Sequence, residues 1–208
     1  MISRIDHLVF AVPELKSGIE YIQDLLQVSV YPGGRHLTFG THNALIRIES
    51  NTYLEIIAPD PDNPRVDDLW MGLSLVESPG KLTRWAISSP IGNAILTELN
   101  KYNPELSKIS EGLRKKEDGS ILKWMLTPPA PHPLIEICPF FIDWGNSIHP
   151  TSILPLECEL QSLQLYSDNA IQVNRLNNAL DIEIEVLQSS QSRIEAHLHS
   201  PKGEIILK

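Results

Sequence analysis

Apolar positions along the chain change their period several times, and each change marks an element. Ile5 to Val12 is apolar apart from Asp6 and His7 and predicts a buried strand; Pro13 then sets the first turn of a helix whose apolar face is Leu15, Ile19, Ile22, Leu25 and Leu26. A short strand is predicted at Val28 to Tyr31, a break at Pro32-Gly33-Gly34, and two strands at Asn43 to Glu49 and Thr52 to Ala58, joined by a tight turn at Ser50-Asn51. Pro59 to Pro64 reads Pro-Asp-Pro-Asp-Asn-Pro, which holds neither helix nor sheet and serves as a linker. After an amphipathic stretch near Val66 to Val76 the order recurs. Strand Leu82 to Ser88 leads to Pro90, which opens a helix through Ala94, Ile95 and Leu99, and then to a polar strand or loop near Ile109 to Lys116. A hairpin at Asp118-Gly119 precedes a strand at Ile121 to Leu126, and either Leu134 to Ile137 or Phe140 to Trp144 closes this second unit.

The tail repeats the order a third time. Leu160 to Tyr166 is a strand, Asp168 caps a helix carrying Ile171, Val173, Leu176 and Leu180, and strands follow at Ile182 to Leu187, Ile194 to Leu198 and Ile205 to Leu207. Such recurrence predicts an α+β fold of repeated β-α-β-β-β modules rather than a doubly wound parallel sheet. The expected organisation is a paired unit over about residues 1–150, with modules at about 3–60 and 80–145, and a smaller C-terminal module over about 151–208.

The 208 residues, 42% of them hydrophobic, suffice for a real core, and the formal net charge of -9 argues against a nonspecific grip on nucleic acid or anionic lipid. No run approaches the length of a membrane helix, and Met1-Ile2-Ser3-Arg4 leads directly into a strand, so a cytoplasmic protein is expected. Cys138 and Cys158 stand alone and read as small buried hydrophobes, in keeping with a reducing compartment. A phosphate-binding glycine loop, a dinucleotide fingerprint and a Gly-x-Ser-x-Gly elbow are all missing from the sequence, which leaves no nucleotide cofactor to expect.

Candidate chemistry gathers in the first unit. His7 shares a strand face with Ile5, Val9 and Ala11, and Glu55 shares one with Tyr53 and Ile57, so both could line a cleft. The competing structural reading has His7 donating to a backbone carbonyl and Glu55 paired with Arg47 or Arg35. Arg35, His36, His42 and Asn43 follow a Gly33-Gly34 turn that would let backbone N–H groups approach a ligand, with the Arg35 fork suited to an anion. His42 and Glu55 are the candidate catalytic groups, and Arg35, His36, Asn43, Trp85, Trp124 and Asp143 the candidate substrate contacts; Trp144 is a further core or cleft-wall residue. His149-Pro150 reads as loop structure, and His197 with His199 as an exposed strand face.

The runs Ile5-Asp6-His7-Leu8-Val9-Phe10-Ala11-Val12 and Tyr53-Leu54-Glu55-Ile56-Ile57-Ala58-Pro59 resemble the vicinal oxygen chelate superfamily of glyoxalases, bleomycin-resistance proteins and extradiol dioxygenases. Gly33-Gly34-Arg35-His36, Gly40-Thr41-His42-Asn43-Ala44-Leu45, Pro139-Phe140-Phe141-Ile142-Asp143-Trp144 and His149-Pro150 are similar to its glyoxalase-like domain family, whose members mostly lack an assigned reaction. The resemblance spans about residues 3 to 150. It implies curved, mainly antiparallel mixed sheets enclosing a cleft, and divalent-metal ligands on the first and last strands of the modules, positions that His7 and Glu55 match. It further implies a lyase, isomerase or dioxygenase acting on a small oxygen-rich substrate, the alternative being a metal-free small-molecule binding or sequestering protein; a homodimer fits either. The second unit departs from the pattern: counted back from Pro90, the position of His7 holds Arg84, followed by Trp85, and only Glu136 or Asp143 could supply a closing-strand carboxylate.

Overall fold

In a computed structural model that describes residues 4–63, 70–116, 118–130 and 132–208, the opening apolar run forms strand β1 (Arg4–Ala11), which lies parallel to β4 (Tyr53–Pro59). Both strands are buried on their two faces through most of their length, which is why they read as near-continuous apolar runs. Between them come helix α1 (Leu15–Leu26), β2 (Tyr31–His36) and β3 (Thr41–Arg47). Glu14 starts α1, its carboxylate accepting from the backbone N–H groups of Lys16 and Ser17. The Pro32-Gly33-Gly34 stretch lies inside β2 instead of breaking the chain, because the strand bulges at Gly33 as it pairs with β3.

The second unit has the same plan: β5 (Lys81–Ser88), helix α2 (Asn93–Tyr102), β6 (Ser110–Lys115), β7 (Ile121–Leu126) and β8 (Phe140–Asp143). Of the two segments that could close it, Phe140–Asp143 forms the strand, parallel to β5. In each unit the spatial order is first, fourth, third, second strand. Antiparallel pairs β1–β5 and β2–β6 join the units edge to edge into a closed barrel, β1-β4-β3-β2-β6-β7-β8-β5, which leaves no sheet edge open. Of the stretch predicted near Val66 to Val76, residues 66–69 lie outside the described residues. Trp70–Leu75 is a pair of short 3-10 turns kinked at Met71 and Gly72, both left-handed.

The tail forms β9 (Glu159–Ser167), helix α3 (Ala170–Ala179), β10 (Val186–Gln188), β11 (Arg193–Ser200) and β12 (Gly203–Leu207). It keeps the element order of the other units but not their pairing. Its sheet runs β10-β9-β11-β12, so the first strand pairs in parallel with the second rather than the fourth. The residue before α3 is Asn169, not Asp168, and its side chain makes no capping bond.

Strand alternation divides the core in two. Leu8, Phe10, Ile46, Leu54 and Ile56 point outward, beneath the helices, into a layer continuous with Leu165, Val173 and Leu198 of the tail. Each such fully buried side chain contributes about 1.5–3 kcal/mol. Val9, Ala11, Leu45, Tyr53, Ile57, Trp124 and Trp144 point into the barrel. There the polar residues are the exception.

Candidate functional site

His7 and Glu55 project into the barrel from paired strands. His7 is held by its neighbour: Asp6 Oδ1 lies 2.6 Å from His7 Nδ1, while Asp6 Oδ2 accepts from Trp144 Nε1 at 2.8 Å and meets His149 Nε2 at 3.2 Å. Two consecutive residues of a regular strand face opposite sides. Here β1 is bulged against β5 between Ile5 and His7, so Asp6 is the extra residue and comes round to the side of His7. Burial raises the Asp6 pKa, but the hydrogen bonds and positive ends of His149 and His7 outweigh it and bring the group down to about 2, so Asp6 is ionised and accepts only. The proton between them therefore sits on His7 Nδ1, leaving Nε2 as the exchanging atom, 3.7 Å from Glu55 Oε2. Tyr53 stacks on the imidazole at 4.7 Å between ring centres and fixes its plane.

Glu55 Oε1 accepts from Asn43 Nδ2 at 2.5 Å. The same amide lies 3.4 Å from His36 Nε2, and His36 Nδ1 is 2.8 Å from Thr41 Oγ1, so His36 donates to Thr41 and accepts from Asn43. Burial, aided by Arg114, pushes the His36 pKa down to about 3, which keeps this imidazole neutral. Arg114 enters from β6, opposite His36, and is 4% exposed. Its Nε has no hydrogen-bond partner among the described residues, nor have Asn43 Oδ1 and Trp70 Nε1. The space enclosed by these groups with Trp124, Phe140 and Trp144 is about 20 Å³, room for a single water.

Superposing the units strand on strand shows how one-sided this centre is. β1 and β5 are each eight residues long and each carries a one-residue bulge, at Asp6 and at Thr83. Aligned on those bulges, His7 corresponds to Arg84 and Val9 to Ala86. Glu55 pairs with Val9, and Phe140 with Ala86, so Phe140 is the counterpart of Glu55. Arg84 turns to the end of the barrel, where it donates to the carbonyls of Thr83, Ala130, Pro133 and Leu134 at 2.5–3.1 Å. Burial lowers its pKa to about 10, still far above neutrality. A divalent ion, which the resemblance implies, would find donors in His7 Nε2 and Glu55 Oε2; His36 Nε2, 3.9 Å from Glu55 Oε1, is turned to the Asn43 amide that also holds that oxygen, and the second unit offers a guanidinium and a phenyl ring. Among the described residues no three His, Cys, Asp or Glu side chains form a metal-holding group. This donor set does not fit a divalent cation.

The residues singled out in sequence divide into two groups. His7, His36, Asn43, Glu55 and Trp124 meet inside the barrel. Arg35 and His42 pair with each other on its outer face, beside Leu15 and Ile19 of α1, where Arg35 forms ion pairs with Asp62 and Asp60. They are separated from His7 by the sheet itself and do not join the centre. The Gly33-Gly34 pair brings no backbone to a ligand. A Cβ on Gly33 would meet Asn43 Oδ1 at 2.0 Å and one on Gly34, at φ +140, the carbonyl of Lys115 at 2.3 Å, so the glycines make room for side chain and strand. Trp85 is wholly buried in the outer layer and donates to the Ile137 carbonyl, and Asp143 accepts from the Gly145 N–H as a strand-end cap. Neither faces the cavity. Glu136 accepts from the Cys138 N–H before β8 begins, and His199 pairs with Glu204 at the surface.

Asp6 and Arg114 carry no role in the sequence pattern, and His149, expected as loop structure, reaches Asp6 from that loop. Alternation sends Asp6 outward, and only the bulge reverses it. Arg114 sits in a strand whose polar pattern resembles a loop, although Gly112 two residues earlier is a signal: its missing Cβ admits Trp124, whose ring atoms would lie 2.2 Å from it.

The glyoxalase-like domain family model matches residues 5–180. The chain belongs to that family. The match runs through β9 and α3, beyond the stretch of about residues 3 to 150 that the resemblance spans. A hypothetical protein from Staphylococcus aureus is similar in structure at 14% identity, with a TM-score of 0.63 over 92% of this chain and 88% of that one. A methylmalonyl-CoA epimerase in complex with methylmalonyl-CoA gives 16% identity and a TM-score of 0.44 over 72% of this chain and all of its own. The methylmalonyl-CoA epimerase from Mycobacterium tuberculosis gives 15% and 0.41 over 68% and 87%. At these identities the likeness is one of fold. No curated protein matches the chain.

Proposed function

We propose that the protein is a proton-transfer enzyme of the isomerase or lyase type, acting on a small carbonyl compound without a metal ion. The observation that carries this reading is the Asp6–His7–Glu55 line: an ionised, buried carboxylate orients an imidazole whose free nitrogen stands 3.7 Å from a second carboxylate. Two groups able to accept a proton flank a space of one water, so a substrate carbon displacing that water would give its proton to one of them, and that group, now protonated, would return it as the acid. Glu55 is steadied by Asn43, and Asp6 acts only by positioning His7. Arg114 supplies the positive charge that an enolate oxygen needs as it develops. Trp124, Trp144 and Phe140 exclude water around it. The paired units form the working body; the partner is a small molecule rather than nucleic acid. No helix among the described residues is long and apolar enough to cross a membrane.

The test is solvent exchange. In D2O with excess EDTA, short to medium 2-oxo acids are incubated with the protein and followed by proton NMR. Protein-dependent loss of the signal from the carbon beside the carbonyl, unaffected by EDTA, is expected. Exchange that EDTA abolishes, or no exchange on an acid that binds, would refute it.

A further inference from the structure

Arg114 is shared between the inner space and a second cavity of about 380 Å³ that opens at the end of the barrel where β1 and β4 begin. The wall of this outer cavity has apolar Leu45, Leu122 and Leu154 and carries the opposite charges of Lys116 and Asp118. Its rim holds Ile148 and Ile153, 71% and 76% exposed, on the segment that His149 ties to Asp6. Large apolar side chains at the lip of a cavity of this size mark a small-molecule site rather than a solvated surface.

The two buried arginines of the barrel behave differently. Arg84 donates from both terminal nitrogens to four carbonyls, and only its Nε lacks a partner. Arg114, nine-tenths buried and more, forms no ion pair within 4.0 Å among the described residues, and its Nε has no partner. A guanidinium so placed is costly unless an anion meets it. Lys116 at the same opening offsets the Asp118 carboxylate that also lines it, so Arg114 is the charge left to meet an anion.

From this we infer that the outer cavity is the substrate's way in and its specificity site: Arg114 takes the carboxylate of an amphipathic carboxylic acid whose hydrocarbon tail lies along Leu122, Leu154, Ile153 and Ile148. The planar fork suits a carboxylate, and the apolar lip suits a chain of several carbons. This deepens the proton-transfer reading, because it puts the carboxylate-bearing end of the molecule at the boundary with His7 and Glu55.

Calorimetric titration with acetate, hexanoate, octanoate and the neutral octanamide tests it without requiring any reaction. Affinity should rise with chain length and should be about 10- to 100-fold weaker for octanamide than for octanoate, the usual worth of a charge-assisted pair. R114Q should bring octanoate down to the octanamide level and leave octanamide unchanged. I153D, at an exposed position where folding is not at stake, should weaken octanoate and spare acetate. E55Q, which removes a negative charge near Arg114, should bind octanoate at least as tightly as the native protein, so a failure of the exchange reading leaves this result standing. Equal binding of octanoate and octanamide, or octanoate affinity unchanged in both R114Q and I153D, would overturn the inference.

Discussion

Strand β1 offers His7 to the barrel interior where its counterpart β5 offers Arg84, and β4 offers Glu55 where β8 offers Phe140. The backbones match down to a bulge in each first strand, yet the first unit concentrates groups that exchange protons while the second supplies aromatic walls and an arginine that holds a connecting loop. A fold of two like halves needs only one of them to carry chemistry. The other is then free to stabilise: Arg84 has four carbonyl acceptors and lacks a partner only at Nε, whereas Arg114, on the β2–β6 seam between the halves, forms no ion pair within 4.0 Å among the described residues.

The contrast is sharpest in substitutions. H7Q should lower the exchange rate by about 100- to 10,000-fold, or about 3–5 kcal/mol of barrel-bound catalysis, since it removes the positioned acid or base. Its thermal midpoint should move by only a few degrees. R84M should do the reverse. Leaving several carbonyls without their donor costs about 3 kcal/mol, a fall of roughly 6–12 °C in a domain of this size, with exchange per folded molecule retained. Calorimetry alongside NMR exchange measures both, and an R84M protein that is stable but inert would break the division of labour.

Acid titration separates the two buried groups of the first unit. His36 has its folded pKa pushed below its ordinary 6.5 to about 3, so the unfolded chain takes up the proton first and stability falls as pH drops from about 6.5 toward 3. Asp6 has its folded pKa lowered from 3.8 to about 2, so its contribution, on the order of 2 kcal/mol, is present above about pH 4 and lost as pH falls through 2. Chemical denaturation across pH 2 to 7 should show H36Q flattening the upper part of the curve and D6N the lower. A D6N curve parallel to that of the native protein would contradict the assigned role of Asp6. The smallest effect belongs to the outer face: R35A should change neither exchange nor octanoate binding, because Arg35 and the Asp62 it meets are solvent-exposed partners beyond the sheet.

Much of this was legible in residue patterns, and the failures have physical causes. The paired β-α-β-β-β order and the inward turn of His7 and Glu55 followed from period-two alternation in apolar runs. Alternation misled wherever a strand bulged. It placed Asp6 on the wrong face, while the Pro and Gly residues of Pro32-Gly33-Gly34 read as a break where the bulge at Gly33 keeps the strand going and seats Asn43. Arg35, His36, His42 and Asn43 looked like one cluster because they are close in sequence, but in strands neighbours part company: His36 and Asn43 went in, Arg35 and His42 went out. Arg114 was invisible for a different reason, since its importance lies in a missing partner, and only a folded chain shows which groups remain unpaired. The tail looked like a third copy because element order survives in sequence while strand pairing does not.

The central claim, that Glu55 is held in the barrel for chemistry rather than for stability, is tested most directly by one pair of readings on E55Q. The amide keeps the size of the carboxylate but cannot act as a base, and its loss of charge removes only one buried acceptor. The account predicts a thermal midpoint within a few degrees of the native protein and no detectable solvent exchange into a bound 2-oxo acid. A midpoint lowered by more than about 10 °C, corresponding to roughly 3 kcal/mol or more, with exchange undiminished in the folded fraction, would make Glu55 a structural partner of Asn43 and contradict the account.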